Sequence, residues 1–247
     1  MDAPLVADAI SVSFAGLKAL SDVTLDIARG RVTGLIGPNG AGKTTLVNIL
    51  TGFQAPNSGR VTLDGRDIAG AKPHLVRRMG IARTFQSGRL FGELSVHDNL
   101  EVAGVGLGLS RREAGAKAAD LLAWIGIAHL SERMAAGLPY TDERRVAIGR
   151  ALMLSPRFLL LDEPAAGMSA EESADLAALI RRIVAQHGCG VLLIEHNIGL
   201  VLTLCEQICV LDSGQVIENG PPDVIKASEV VRHAYMGTQA EPVEALA

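Results

Sequence analysis

The stretch GPNGAGKTT, Gly37 to Thr45, follows the β-rich run RVTGLIG and opens the helical pattern GKTTLVNILTG. Its spacing, G-x-x-x-x-G-K-[ST] between a predicted strand and a predicted helix, is that of a phosphate-binding loop. Glycines let the backbone wrap closely, so successive N–H groups and the helix N-terminus face phosphate oxygens. In such a loop Lys43 reaches the β- and γ-phosphates, and the Thr44 hydroxyl ligates Mg²⁺. Gly37, Asn39, Gly40, Ala41, Gly42, Lys43, Thr44 and Thr45 are therefore the expected nucleotide cradle. An ordinary glycine turn does not require all of these positions to be filled together.

Outward from the loop, FLLLDEP (residues 158–164) is an apolar strand ending in two acids. Asp162 is expected to hold Mg²⁺ through water and Glu163 to polarise an attacking water. Both stand at the carboxyl end of a strand, where open α/β sheets put their ligands. Alone, the pair reads equally well as a solvated strand cap; the phosphate loop in the same chain decides for chemistry.

Further out, LVADAISVSF and LSDVTLDI read as strands with a turn at Gly16, and SGRVTLDGRDI alternates around Asp64-Gly65, a hairpin signal. From about residue 89 to 155 there are alanine-rich helical segments such as RREAGAKAADLLAWIGI and no convincing strand. Short apolar runs then return in RFLLLDEP, GVLLIEH and QICVLDSGQVIENG, alternating with helices as in a buried parallel sheet. The expected fold class is α/β: a P-loop NTPase (RecA-like) core with an antiparallel β flank and an inserted α-helical subdomain. The predicted division of a single domain 1–247 is core over about 1–90 and 156–225, helical subdomain over about 91–155, and C-terminal helix and tail over 226–247. Beyond about Gly237 the chain is polar and expected to fray.

Composition sets outer bounds. The chain has 247 residues, 48% of them hydrophobic, enough for a core with a smaller lobe. A net charge of −4 argues against nucleic acid as the main partner. Three cysteines without paired metal-ligand spacing read as reduced core thiols and fit a cytoplasmic protein. No basic segment precedes an apolar run at the N-terminus, and Glu195, His196 and Glu206 interrupt the most apolar region, so neither a signal peptide nor a membrane span is expected.

Gln86 in GIARTFQSGRLF and His196 in VLLIEHN each follow an apolar, strand-like run. With the two stronger motifs, this set resembles the ATP-binding cassette (ABC) ATPases of membrane transporters over about residues 5–237. The resemblance implies an ATPase that uses ATP and Mg²⁺. It implies that Gln86 touches Mg²⁺ or the attacking water and senses a membrane subunit, and that His196 contacts the γ-phosphate. Phe14 holds the position of an adenine-stacking aromatic; a core phenylalanine of a small strand is the alternative. RRMGIARTFQSGRLFGELSVHDNL and VIENGPPDVIKASEVVRHAYMG are similar to the ATPase subunits of branched-chain amino-acid uptake systems. That implies membrane permease subunits, a second and different ATPase subunit, a solute-binding protein engaged through the complex, and a seat on the inner face of the plasma membrane. A heterodimer is expected and a homodimer stays open. Importers for urea, short amides or aromatic acids use similar subunits.

One stretch departs from the family. Its members carry L-S-G-G-Q before a helix that caps the γ-phosphate held by the other chain of a dimer. At that position, in LPYTDERRVAIGRAL, stand Leu138, Pro139, Tyr140, Thr141 and Asp142. A side chain at 141 crowds close backbone approach, and a carboxylate near phosphate oxygens repels them by roughly 1 kcal/mol or more. Ser169 in AAGMS likewise replaces the usual acid or Asn. A nucleotide-dependent scaffold with weak turnover is the resulting alternative. Soluble cassettes of translation or DNA maintenance fit less well, since one cassette and no long heptad insertion are present, and no N-K-x-D motif supports a small GTPase. RREAGAK is expected to be a solvated helix face. Arg77, Arg78 and Arg83 are expected on a solvated face, or toward lipid headgroups or a membrane subunit. In QSGRLF, Leu90 and Phe91 are expected either to anchor a short helix of a membrane subunit or to pack inside the lobe.

Overall fold

The computed structural model describes residues 3–86 and 88–236. Ser87 of the predicted docking loop and the predicted frayed tail lie outside the described residues. Apolar–polar alternation builds the first layer. β1 (Leu5–Phe14) and β2 (Leu17–Ile27) pair antiparallel, and the positive φ of Ala15 and Gly16 turns the chain between them. β3 (Val32–Ile36) is buried at every residue and leads into α1 (Lys43–Leu50). β4 (Ser58–Leu63) and β5 (Arg66–Asp67) flank Asp64 and Gly65, both at positive φ, as a tight hairpin demands. α2 (Pro73–Arg78) starts on proline, whose missing N–H costs nothing at a helix start, and β6 (Ile81–Arg83) follows.

The lobe comprises α3 (Val96–Gly106), α4 (Arg111–Ile125), a 3-10 turn at Ala128–Leu130 and α5 (Tyr140–Leu152). Ser110 starts α4 with a capping box closed by Glu113. In the predicted solvated face RREAGAK, Arg111, Arg112 and Glu113 are exposed and Ala114 is buried; the next turn buries Ala118 as well. β7 (Phe158–Asp162), α6 (Ala170–His187), β8 (Gly190–Ile194), α7 (Ile198–Leu204), β9 (Gln207–Asp212), β10 (Gln215–Gly220), α8 (Pro222–Ala227) and α9 (Glu229–Met236) complete the described chain.

Two sheets result. The first has the order β2-β1-β4-β5 and is antiparallel; the second has the order β10-β9-β3-β8-β7-β6, parallel except for β10 at its edge. One apolar cluster, with Leu5, Ile10, Leu46, Leu50 and Leu192, lies between the sheets around α1. The other continues from Leu159, Leu161 and Val191 into the helical lobe through Leu100, Leu122 and Leu152. Each such leucine contributes about 1.5–3 kcal/mol by burial, which anchors the ends of β3, β7 and β8 rigidly. Lobe and core also meet at Trp124 of α4. Its indole N–H donates to Gln186 Oε1 at 2.6 Å, Arg182 lies over the ring at 4.6 Å, and the His187 ring packs edge-on at 4.9 Å. Cys189, Cys205 and Cys209 are free and buried, and burial pushes each thiol up to about 12.

Candidate functional site

The phosphate loop leaves β3 at Ile36 and returns as α1. Two of its glycines are required by space. A Cβ on Gly37 would lie 2.0 Å from the Leu211 carbonyl oxygen, and one on Gly42 would lie 2.6 Å from Leu20 and 2.8 Å from the Ala19 carbonyl oxygen. Gly42 sits at φ 103°, in the left-handed region, at the start of α1. The loop walls a cavity of about 210 Å³ together with Asn39, Lys43, Thr44, Thr45, Glu163 and His196. Lys43 is buried, and its Nζ donates to the carbonyls of Gly37 (2.6 Å) and Pro38 (2.9 Å). Burial holds its ammonium below the usual lysine range, with Glu163 and Asp162 pulling the other way. Phe14 stands half-exposed at the end of β1 and is not part of the cavity wall.

The acids at the end of β7 are clasped from both sides. Gln86 Nε2 donates to Glu163 Oε2 at 2.6 Å, and His196 Nε2 lies 2.6 Å from Glu163 Oε1. An ionised carboxylate has no proton to give, so the imidazole supplies the hydrogen. Glu163 itself holds φ 48°, uncommon for a side chain of its size, a conformation that costs on the order of 1–3 kcal/mol. Its N–H donates to the Ile194 carbonyl at 2.9 Å, which keeps it against β8. The structure thus brings Lys43, Thr44, Gln86, Glu163 and His196 to one end of the parallel sheet.

Asp162 has a partner that the sequence did not announce. Arg83 donates from Nη2 to Asp162 Oδ2 and from Nη1 to Asn48 Oδ1 of α1, each at 2.6 Å. The Arg83 and Asp162 side chains are 7% and 13% exposed, so this is a buried ion pair; removing one partner of such a pair costs about 3–5 kcal/mol. The expected solvated basic face holds for Arg78, which is exposed, and is corrected for Arg77 and Arg83. Arg83 is internal, and Arg77 donates to the Ala151 carbonyl at 2.8 Å, with burial lowering it to about 10. A carboxylate sitting unshielded at the end of β7 required a cation, and only the folded chain shows which one.

Between core and lobe lies a cleft of about 390 Å³ lined by Arg77, Arg83, Phe85, Arg89 and Arg150 among others. Arg144 donates to the Phe85 carbonyl (3.0 Å) and Arg150 to the Arg89 carbonyl (2.6 Å), so α5 grips the segment next to Gln86. Leu90 packs on the core, whereas Phe91 is 48% exposed with Arg150 over its ring at 5.0 Å. Of the two residues, Leu90 thus packs inward as one of the predicted alternatives has it, and Phe91 does not.

At the start of α5, Pro139 occupies the cap position without a side-chain hydrogen bond, and Asp142 and Glu143 lie in the first turn. Tyr140 OH pairs with the buried Arg144 guanidinium, which also covers its ring at 4.4 Å. Ser169 is occupied too. Its Oγ accepts the Glu172 N–H at 3.2 Å while Glu172 Oε2 accepts the Ser169 N–H at 2.8 Å, a capping box for α6.

A family model described as ABC transporter matches residues 20–166. The chain is 40% identical over 243 residues to the high-affinity branched-chain amino acid transport ATP-binding protein BraF of Pseudomonas aeruginosa, covering 92% of this chain and 95% of that one. It is 38% identical over 253 residues to the protein LivG of the same description from Escherichia coli, covering 96% and 99%. Among solved structures, a nucleotide-free ATP-binding cassette from an ABC transporter superposes with a TM-score of 0.86 at 31% identity, covering 95% of this chain and all of the other. The ADP conformation of MJ1267, an ATP-binding cassette of an ABC transporter, superposes with a TM-score of 0.87 at 32% identity, covering 95% and 99%.

Proposed function

The chain belongs to the ABC transporter family, and from that premise we propose that it is the subunit whose ATP hydrolysis powers uptake of branched-chain amino acids. The observation that carries the chemistry is the Glu163 carboxylate, held between Gln86 and His196 beside the phosphate loop. Identity of 38–40% to BraF and LivG along nearly the whole of both chains supports the cargo. Urea, short amides and aromatic acids are the alternative cargoes.

The residues present fit ATP and Mg²⁺. A Cβ at Gly37 or Gly42 would collide with Leu211, Leu20 or Ala19 packed against the loop, so glycine is what lets the loop curl round the cavity, and Thr44 and Asp162 offer the hard oxygen donors that Mg²⁺ takes. When bound, Mg²⁺ neutralises charge on the β- and γ-phosphates. Lys43 exchanges two loop carbonyls for phosphate oxygens, so its ammonium is desolvated and ready before the nucleotide arrives. Glu163 Oε2 orients the attacking water and takes its proton, with Gln86 beside it. His196, hydrogen-bonded to Oε1, keeps the carboxylate in place and faces the γ-phosphate. Phe14 stacks on adenine from the edge of the flank.

Among the described residues no helix is long and apolar enough to cross a membrane, so the chain meets its solute pathway through permease subunits on the inner face of the plasma membrane. The arginine-rich cleft beside Gln86, with Phe91 against its lining residue Arg150, is the docking place for a short permease segment. The second ATPase subunit supplies what this chain lacks. A mixed dimer has one good site, this chain's phosphate loop with the partner's intact signature, and one poor site closed by Thr141 and Asp142. A solute-binding protein acts through the assembled complex.

The test is reconstitution of the chain with a partner ATPase and its membrane subunits in liposomes. ATP-dependent uptake of radiolabelled leucine is expected. Uptake of urea or an aromatic acid instead reassigns the cargo, and no ATP turnover even in the complete assembly favours the scaffold reading.

A further inference from the structure

Glu195 separates Ile194 from His196 and is 2% exposed. β7 and β8 stay in parallel register as far as Asp162 and Ile194, and the last rung is the Glu163 N–H on the Ile194 carbonyl. Beyond that rung the two chains diverge, one into the turn 164–169 and the other toward α7. The Glu195 carboxylate spans the gap. Its Oε1 accepts the Ala165 N–H at 2.7 Å, its Oε2 accepts the His196 N–H at 3.1 Å, and the Asn197 N–H donates to it as well.

All three partners are donors, so the ionised carboxylate fits and a protonated one would set a hydrogen against an N–H. A carboxylate is expensive to bury unless hydrogen-bonded. Burial pushes the Glu195 pKa up and the Glu163 charge adds to this, while the backbone N–H groups pull it back. The strands it extends are otherwise apolar, and packing alone has no use for an acid there. What its two oxygens reach is the backbone two residues beyond Glu163 and the backbone of His196 itself.

We propose that Glu195 is a positioning residue for ATP hydrolysis: its buried carboxylate locks the loop carrying Glu163 to the loop carrying His196 and so preserves the 2.6 Å contact between those side chains. The inference rests on the assignment of Glu163 and His196 to hydrolysis. A misplacement of about 1 Å in a reacting geometry costs on the order of 10²-fold in rate, so a clamp one layer below the site matters to turnover more than to binding. Glu195→Gln keeps the volume, but its amide N–H₂ faces an N–H and one loop is released. Glu195→Asp keeps the charge and is too short to reach both loops.

The experiment uses the full chain with each variant beside Glu163→Gln. Steady-state kcat and KM for ATP with Mg²⁺, equilibrium binding of a fluorescent N-methylanthraniloyl ATP, thermal unfolding, and NMR of isotope-labelled histidine rings are measured. Both Glu195 variants are expected to lose at least tenfold in kcat, to bind the fluorescent nucleotide within twofold of wild type, and to shift or broaden the His196 ring signals without nucleotide. Wild-type kcat in Glu195→Gln and Glu195→Asp, with Glu163→Gln inactive, overturns the clamp and leaves the site intact. Wild-type turnover in Glu163→Gln overturns the assignment of the site itself. Parallel loss of kcat, binding and thermal stability in both Glu195 variants, or failure of both to fold, makes Glu195 structural and also overturns the clamp.

Discussion

At the carboxyl ends of β3, β7 and β8, side chains from distant parts of the chain converge within 3 Å of one another: Gln86 and His196 on Glu163, Arg83 on Asp162, Lys43 on its own loop. At the start of α5 the picture is reversed. No side chain caps the helix, and two carboxylates fill its first turn. Acids there stabilise an isolated helix end by about 0.3–1 kcal/mol and repel the phosphate that a helix start otherwise attracts. In the proposed mixed dimer, the half-site this chain builds for itself and the half-site it presents to another chain therefore differ, the second favouring helix stability over anion affinity. The α5 tip is held in place through Arg144, Tyr140 and the Phe85 carbonyl.

The contrast breaks most visibly if the acid half is unnecessary. Glu163→Gln is expected to reduce turnover at least 10²-fold, the lower range for loss of a general base, with fluorescent-ATP binding retained. Lys43→Ala should instead lose binding, because the lysine acts on the ground-state phosphates. Wild-type phosphate release by Glu163→Gln would remove the basis for calling this half complete.

Repair of the other half sharpens the same contrast. Thr141→Gly with Asp142→Gln is expected to raise homodimer ATPase by about tenfold, equivalent to about 1.4 kcal/mol of closure energy. In a mixed dimer the double change should matter far less than Glu163→Gln. A native homodimer that is already fast and indifferent to the repair would erase the difference between the halves.

The smallest effect lies between the two regions. Phe91 is half-exposed beneath Arg150, which lines the arginine cleft, and Phe91→Ala should lower transport by the assembled complex several-fold while changing the ATPase of the isolated chain by less than twofold. Equal losses of both, with a lower melting temperature, would place Phe91 in the packing of the lobe.

What was legible follows from how local the chemistry is. The phosphate loop and the strand ending in Asp162 and Glu163 need fixed residue types at short spacing, so sequence alone exposes them. In sequence Arg83 reads as surface charge because its carboxylate is 79 residues away. Glu195 reads only as a break in an apolar run, since nothing local indicates that its carboxylate joins the ends of β7 and β8. Ser169 is the instructive middle case. It stands where the family has an acid or Asn, and the S-x-x-E spacing to Glu172 that makes it a helix cap lies in the same residues.

Trp124 is the chain's single tryptophan, and it sits where the helical lobe touches α6. Its indole therefore makes this contact visible by light in the unlabelled protein. A swing of the lobe that breaks the hydrogen bond to Gln186 also withdraws the ring from Arg182 and His187, changing both the polarity around the fluorophore and the groups able to quench it. Stopped-flow emission on mixing with nucleotide would then show whether, and how fast, this contact opens.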